Sequence, residues 1–373
     1  MIMKAYNSNH YKNRGFSLVE LLISMAITLV LVLAASMVYL NVRETDTTQA
    51  KTSDSIETGT FALQLIGRDI AQAGSYPVVM PPTTIYFPQG KVIDNYPPIG
   101  WTTESPNAVY LSGIFGCEGG KFNSKTAACD ATAIVAPNRS APDSIVLNYF
   151  TSESDNANIG NRNDCTGSDV GNDVINKTRK LNSTPDLTKT PPVPTTENKD
   201  LPPQLPLFVS NRYALADTTT EIEKFIVTTM SLACSGNGAS GSKTNDLASV
   251  YQPILLGVED LQITYGVFDI PNNTASLSLA PVSFFTATGV NALIDQTFED
   301  KTYKPWDRVT AVRVCMMTRT LGSSARINDA SGVARKYQDC TDDVAQSYSS
   351  SDGSIRKRHV QVFAVRNRLT QSY

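Results

Sequence analysis

The stretch from Leu21 to Val42 constrains the fold of this chain more than any other feature, because its 22 residues carry no charge. An α-helix needs about 20 apolar residues to cross the hydrocarbon core of a bilayer. The run is therefore long enough to span a membrane. One carboxylate, Glu20, stands directly before it. An acidic side chain at the centre of a membrane helix costs about 3 kcal/mol, so its presence here calls for a specific role.

The charges around this run predict its orientation. Lys4, Lys12 and Arg14 precede it, and no acidic residue lies before Glu20. The positive-inside rule then places the amino terminus in the cytoplasm and the bulk of the chain outside. The whole chain of 373 residues has a formal charge of −3, and removal of the three leading cations lowers it to −6. A mildly acidic chain is not typical of proteins whose main work is binding phosphate backbones.

Six cysteines follow the apolar run, in the part of the chain that faces an oxidising compartment, where disulfides persist. We therefore expect three disulfides. Proximity along the chain favours two short loops and leaves the remaining two cysteines for each other, while other connectivities stay open. The favoured pairs are Cys117 with Cys129, Cys315 with Cys340, and Cys165 with Cys234.

Two conventional interpretations of the amino terminus are a secretory signal peptide and an uncut membrane anchor. The first would be cleaved near Ala34-Ala35-Ser36, where the residues are small. Glu20 argues against both, because neither a removable peptide nor a plain anchor needs an acidic residue at the start of its apolar core.

The segment Arg14-Gly15-Phe16-Ser17-Leu18-Val19-Glu20 resembles the class III leader of type IV pilins and pseudopilins. The resemblance implies a leader of residues 1–15, cleavage after Gly15 by a prepilin peptidase, and N-methylation of Phe16. It also implies that Glu20 pairs with the terminal amine of a neighbouring subunit. An unpaired carboxylate is penalised in an apolar fibre core. Glu20 would therefore set the register of assembly.

The helix is predicted to continue beyond the membrane, because no proline occurs from Phe16 to Tyr76. We expect a transmembrane or filament-core part over residues 16–42 and an amphipathic part over 43–76. Gly74 and then Pro77 should end it. Many major pilins have a helix-breaking glycine or proline in the apolar part, and Leu21–Val42 has neither. The apolar stripe of the second part is formed by Ile56, Leu63, Ile66 and Ile70.

Short strand-like runs follow, and they predict an α+β fold in which the long amino-terminal helix packs on an antiparallel sheet. In one run Val312, Val314 and Met316 share a face, while Arg313 and Cys315 share the other, as in a half-buried strand. The head should comprise residues 77–373, with flexible loops near 155–206 and 235–248. The runs are Ser144–Phe150, Lys224–Leu232, Leu261–Phe268, Val309–Thr318 and His359–Asn367.

Three carboxy-terminal segments resemble the PilW-type minor pilins: Gly257–Gly266, Trp306–Cys315 and Val365–Arg368. The resemblance implies a low-abundance subunit that helps to prime pilus assembly at the inner membrane and ends near the fibre tip. It would support twitching motility, adhesion or DNA uptake. Its partners would be other minor pilins, the major pilin, the prepilin peptidase, the inner-membrane assembly platform and a large tip adhesin.

Motifs for catalysis are weak. Gly236-Asn237-Gly238-Ala239-Ser240-Gly241 matches the dinucleotide fingerprint in letters, but no helix is predicted after it. The only histidines are His10 and His359, too few for a histidine-based triad or zinc site. We therefore predict no enzymatic activity, no metal and no cofactor.

One basic cluster, centred on Arg356, Lys357 and Arg358, admits two interpretations. It could contact DNA through phosphates, or it could be a solvated edge strand whose charges discourage unwanted pairing. We favour the edge strand. The neighbouring cations are His359, Arg366 and Arg368.

Two rival functions remain at this point. A minor pseudopilin of a type II secretion system would share the leader and the helix. A membrane-anchored periplasmic binding protein or hydrolase would share only the anchor.

Overall fold

The structure is a computed structural model. It describes residues 17–75, 85–86, 92–93, 113–123, 128–130, 141–151, 163–170, 185–186, 193–194, 208–222, 225–238, 251–271, 276–299, 301–321, 336–340, 348–349 and 354–369. Two compact units are distinguished, Met1–Lys51 and Thr52–Tyr373.

Helix α1 covers Leu18–Gln72. The absence of proline allows the run, and Gly74, at a φ of 73°, ends it in the left-handed conformation that only glycine adopts without strain. Gly74 therefore ends the helix as predicted, and residue 76, the expected limit of the amphipathic part, lies outside the described residues. Phe16 lies outside the described residues. In the part of the chain that the structure describes, two short α-helices follow, α2 over Ala287–Asn291 and α3 over Arg366–Leu369, and a 3₁₀ turn covers Pro305–Arg308.

The strands lie in chain order as follows: β1 Ile85–Tyr86, β2 Val92–Ile93, β3 Ile114–Cys117, β4 Lys121–Asn123, β5 Ala128–Asp130, β6 Ser144–Phe150, β7 Pro185–Asp186, β8 Val193–Pro194, β9 Phe208–Ile222, β10 Phe225–Gly236, β11 Gln252–Leu256, β12 Val258–Val267, β13 Ser283–Phe285, β14 Gln296–Phe298, β15 Lys301–Tyr303, β16 Val309–Arg319, β17 Lys336–Tyr337, β18 Tyr348–Ser349 and β19 Arg356–Ala364.

Two antiparallel sheets form the head. The first has five strands in the order β11-β10-β9-β6-β3, and the second has four in the order β13-β12-β16-β19. The remaining described strands form two-stranded pairs. The predicted α+β class, a long helix with antiparallel sheets, is confirmed.

One core joins the last turns of α1 to both sheets. Ile66 and Ile70 of the helix are fully buried there, with Tyr213 from the first sheet and Val312 and Met316 from the second. The face of β16 that carries Val312 and Met316 is therefore the core face, as its alternation predicts. Leu63 is also buried, but Ile56 is 44% exposed. Its assignment to the stripe was wrong, because the neighbouring Ser55 points to the sheet instead.

The predicted runs locate five strands, four of them with shifted ends. The run Ser144–Phe150 has the bounds of β6. Strand β9 was missed altogether. The predicted loop from Ser235 was wrong at its start, since Ser235 and Gly236 end β10. Most of the predicted loops 155–206 and 235–248 lies outside the described residues.

Candidate assembly site

The first part of α1 is apolar around its whole circumference. The large apolar side chains from Leu18 to Val42 are 52% to 74% exposed. Among the described residues, α1 is the one helix long and apolar enough to cross a membrane. A helix that is apolar on every side requires an apolar surrounding, either lipid or other helices.

Three hydroxyl side chains within this part form hydrogen bonds inside the helix. The hydroxyls of Ser24, Thr28 and Ser36 donate to the carbonyl oxygens of Leu21, Ser24 and Val32 at 2.8, 2.7 and 2.7 Å. No hydroxyl among these three needs water, which suits a hydrocarbon environment.

Glu20 lies in the first turn of α1. Its Oε2 accepts a 3.3 Å hydrogen bond from the backbone N–H of Ser17. An acid is favoured there by the partial positive charge of the helix amino terminus. Gly15 and Phe16 lie outside the described residues, so cleavage and methylation stay predictions.

The second part of α1 is fixed to the second sheet by a polar cluster. Ser55 Oγ donates to Thr318 Oγ1 at 2.9 Å, and Thr318 Oγ1 lies 3.0 Å from Nε2 of His359. Ser55 and Thr318 are buried. Burial, followed by the charge of Lys357, lowers the pKa of His359. The neutral ring is therefore favoured where the helix meets the sheet.

Two glycines let α1 approach β19 closely. A Cβ on Gly59 would collide with the ring of His359, and one on Gly67 would collide with the ring of Phe363. Eight residues of helix rise about 12 Å and four residues of strand rise about 13 Å. The two glycines are therefore spaced along the helix as the two rings are along the strand, so that Gly59 contacts His359 and Gly67 contacts Phe363.

A buried carboxylate fixes the last turns of α1 to the first sheet. Asp69 is fully buried, and its Oδ2 accepts hydrogen bonds of 2.7 Å from both the Tyr213 hydroxyl and Asn211 Nδ2. Burial raises the pKa of Asp69, and the two hydrogen bonds oppose that shift. The sequence analysis missed this residue, because its partners lie far along the chain.

Asn367 caps the carboxyl end of α1. Its Nδ2 lies 3.3, 3.0 and 3.4 Å from the carbonyl oxygens of Ala71, Gln72 and Ala73. The last carbonyls of a helix have no further helical turn to donate to them, and Ala71 and Gln72 are the last two residues of α1. The segment Val365–Arg368, named above only for its resemblance, therefore supplies a tertiary cap.

The Trp306 segment closes the core between the sheets. The ring of Trp306 lies 4.9 Å from that of Tyr265 and 5.0 Å from that of Phe115, measured between centroids. Its Nε1 donates a 2.7 Å hydrogen bond to Oδ1 of Asn291 in α2. Trp306 therefore joins β3, β12 and α2.

Three disulfides join the six cysteines in the pairs that proximity along the chain favoured. Cys117–Cys129 links β3 to β5, Cys165–Cys234 links the segment 163–170 to β10, and Cys315–Cys340 links β16 to the segment 336–340.

The glycine-rich motif has a structural role. Asp164 Oδ2 accepts a 2.7 Å hydrogen bond from the backbone N–H of Gly238. A Cβ on Gly236 would collide with that carboxylate, and one on Gly238 would collide with the carbonyl of Ser168. The glycines therefore let β10 approach the disulfide-bonded segment of Cys165, and the dinucleotide interpretation is not supported. Among the described residues, no group of His, Cys, Asp and Glu is placed to hold a metal ion.

The basic cluster lies in β19, the edge strand of its sheet. Arg356 forms a bidentate ion pair, in which its Nε and Nη2 donate to the two carboxylate oxygens of Glu259 at 2.6 and 3.0 Å. Arg358 Nε lies 3.5 Å from the sulfur of Cys315, and Lys357 is exposed. The bidentate ion pair of Arg356 favours the edge-strand interpretation, and a DNA contact of this cluster stays a prediction.

Comparisons with known proteins fit this architecture. Residues 10–36 match the prokaryotic N-terminal methylation motif, and residues 212–367 match the family described as type IV pilus-assembly protein W. A solved structure of a type IV-like pilin from Thermus thermophilus aligns with 61% of this chain and 78% of that chain, at 9% identity and a TM-score of 0.26. That likeness is too slight to carry an argument. None of the curated proteins matches the chain.

The methylation motif, the apolar helix and the antiparallel head define a type IV pilin-like protein. Within that class, residues 212–367 are similar to the minor pilins of the PilW type, and the predicted resemblance is confirmed. Strands β10, β12, β16 and β19 all lie within that match.

Proposed function

We propose that this minor pilin primes type IV pilus assembly at the inner membrane and is incorporated at or near the fibre tip. There it supports motility, adhesion or DNA uptake. The observation that carries the proposal is Glu20, one carboxylate in the first turn of a helix whose next 22 residues are uncharged and exposed on all sides.

The assembly step follows from the energetics of that carboxylate. Cleavage after Gly15 by the prepilin peptidase would free the amine of Phe16, which is then N-methylated. A carboxylate surrounded by apolar helices is stabilised only when a cation is within reach. Docking in the correct stagger supplies the amine of a neighbouring subunit, and an incorrect stagger leaves Glu20 without it. The membrane-held subunit therefore enters the fibre in one register.

The size of the head supports a place near the tip or in the priming complex. A head with two sheets and long connecting segments is difficult to repeat at every lattice position. At the end of a fibre, one side of the head has no subunit above it. Other minor pilins, the major pilin, the assembly platform and a large tip adhesin are the partners that this place requires.

The test compares two carboxylates of the same helix. Glu20→Ala should abolish incorporation into sheared pili and reduce piliation, while Glu44→Ala, past the apolar run, should leave both unchanged. Glu20→Gln should behave as Glu20→Ala, because the negative charge is what the neighbouring amine requires. Wild-type piliation with Glu20→Ala would refute the register role.

The processed amino terminus gives an independent test. Mass spectrometry of the protein from its native host should find an N-methylated Phe16 as the first residue. Retention of residues 1–15 would refute the prepilin assignment of this chain and would favour a membrane-anchored binding protein or hydrolase.

A helix without a break is also compatible with one alternative function, that of a minor pseudopilin of a type II secretion system. No glycine or proline lies between Leu21 and Val42 to let the helix melt inside a pilus. The neighbouring genes separate the two. Genes for minor pilins and a large tip adhesin favour the pilus, and genes for a secretion system favour the pseudopilin.

A further inference from the structure

The outer edge of β19 is suited to pairing with another strand. It is the last strand of its sheet, and among the described strands only β16 pairs with it. It is nine residues long. On its outward face Val360 and Val362 are 42% and 53% exposed. A long edge with exposed apolar side chains is a template for a further strand.

The charge of this edge selects what can pair with it. Lys357 is exposed near its amino end, and Arg358 is partly exposed beside it. Two such edges meeting in the register that sets Arg358 against Arg358 would repel each other. An acidic extended strand is the complementary partner.

The chain itself carries such a strand. Strand β6 pairs with β9 only as far as Tyr213, and β11 pairs with β10 only from Ser231 onward. Residues 214–222 of β9 therefore have an edge that no described strand covers, in a hairpin arm held by β10 alone. A two-stranded hairpin is only marginally stable by itself in water. Asp217, Thr219 and Glu221 are exposed on this arm.

The two edges match in charge and nearly in length. Strand β19 has nine residues, and the arm offers seven, residues 216–222, because Ala214 and Leu215 are buried. An antiparallel pairing of residues 356–362 with residues 216–222 places Glu221 opposite Lys357. Opposite charges directly across a strand pair attract, and like charges repel.

We infer that β19 of one copy of this chain takes residues 216–222 of the β9 arm of a second copy as an additional antiparallel strand. Within one molecule the two strands belong to different sheets and do not pair. The contact joins two different surfaces, so a dimer held by it is asymmetric and leaves one edge strand and one arm open. This head contact goes beyond the proposed function, which requires only the apolar helix and Glu20.

The first experiment locates the contact in the full chain, purified in detergent. A photo-crosslinking amino acid replaces Val360, and after irradiation the linked peptides are mapped by mass spectrometry. We expect a covalent dimer linked to residues 214–222 of the other copy. The same substitution at Ile294, which is 77% exposed, serves as the control and should give no dimer through the arm. Links elsewhere in the second copy, links to a different protein, or no dimer would overturn the inference.

The second experiment tests the charge pair. Lys357→Glu and Glu221→Lys should each lower the yield of the cross-linked dimer about fivefold, because attraction becomes repulsion. The double variant should restore the yield, since the pair is then reversed. Asp217→Lys, a reversal of a neighbouring exposed acid that faces Gln361 in this register, should have a smaller effect than Glu221→Lys. Failure of the double variant to recover would overturn the proposed register.

Neither experiment depends on prepilin processing. A dimer that persists with Glu20→Ala is expected, because the contact lies in the head. A variant that loses piliation but still forms the dimer would therefore test the proposed function. A variant that loses the dimer but keeps piliation would test the head contact.

Discussion

The Tyr213 hydroxyl donates a 2.7 Å hydrogen bond to Oδ2 of Asp69, joining residues 144 positions apart in the chain. Asn211 donates to the same oxygen, and its Nδ2 also lies 3.3 Å from the hydroxyl of Tyr149. Burial followed by the charge of Asp69 raises the pKa of Tyr213 well above its usual value. Tyr213 therefore stays protonated and remains a donor, and the carboxylate fastens the end of the helix to the first sheet.

Tyr213→Phe should destabilise the head by about 1.5 to 3 kcal/mol, because it removes a hydrogen bond to a buried carboxylate without creating a large cavity. Urea unfolding of the detergent-solubilised chain, followed by tyrosine and tryptophan fluorescence, measures the loss. Tyr303→Phe, outside this network, is the matched control and should cost less than about 0.5 kcal/mol. Equal effects of the two changes would contradict a special role for Asp69.

Asp69 also shows where sequence reasoning ends. The buried positions of Ile66 and Ile70 could be predicted from helical periodicity, because apolar residues four positions apart lie on the same face of a helix. Asp69 looks like a surface charge by the same criterion. Its burial depends on hydrogen bonds from Tyr213 and Asn211. The residues next to Asp69 in the sequence do not predict contacts with residues so far along the chain.

Strand β9 was missed for a related reason. Its outer half, with Asp217, Thr218, Thr219, Thr220 and Glu221, reads as a polar loop in a search for apolar alternation. Threonine is β-branched and favours strands, and this was the available signal. The inner half is buried only because β6 and β10 flank it. By contrast, β6 is apolar along nearly its whole length and was located to the residue.

The seam between the two sheets contains a second buried acid, which gives a prediction about pH. Asp143 accepts hydrogen bonds from the backbone N–H of Ile263 at 2.8 Å and of Gly119 at 2.9 Å. Burial, which outweighs these bonds, raises the pKa of Asp143 to about 7, and the charges of Glu118 and Asp260 add to the rise. The folded state therefore prefers the neutral acid more than the unfolded chain does.

Because the folded pKa of Asp143 exceeds the unfolded value, its contribution to stability is fully present below about pH 4 and is lost as the pH rises to about 7. The contribution is at most about 4 kcal/mol. Asp143→Asn should therefore flatten the fall of the unfolding free energy between pH 4 and pH 8. Chemical denaturation at a series of pH values measures the slope. Asp269→Asn, whose side chain is half exposed, is the control, and an unchanged slope in Asp143→Asn would refute the assignment.

Gly67→Ala should destabilise the contact between α1 and β19 although alanine favours a helix over glycine by about 1 kcal/mol. The added methyl group meets the ring of Phe363, and overpacking of this kind typically costs about 1 to 3 kcal/mol. Thr60→Ala, on the exposed side of the same helix, should be nearly neutral. Phe363→Leu combined with Gly67→Ala should recover part of the loss, which a double-mutant cycle of unfolding free energies would show. Additive costs would mean that the two residues do not meet.

Asn367→Ala should fray the carboxyl end of α1, because the carbonyls of Ala71, Gln72 and Ala73 lose their side-chain donor. The loss should be about 1 kcal/mol, the usual size of one hydrogen bond. Asn367→Asp should cost more, since it places a negative charge at the negative end of the helix dipole.

Hydrogen exchange of the amides of residues 71–75 reports the fraying directly, and these amides should lose protection in both variants while those of residues 62–66 keep it. Arg366→Ala changes the adjacent exposed side chain and should leave the exchange as it is. If Asn367→Ala and Arg366→Ala exchange alike, then Gly74 alone ends the helix and the side chain of Asn367 is dispensable there.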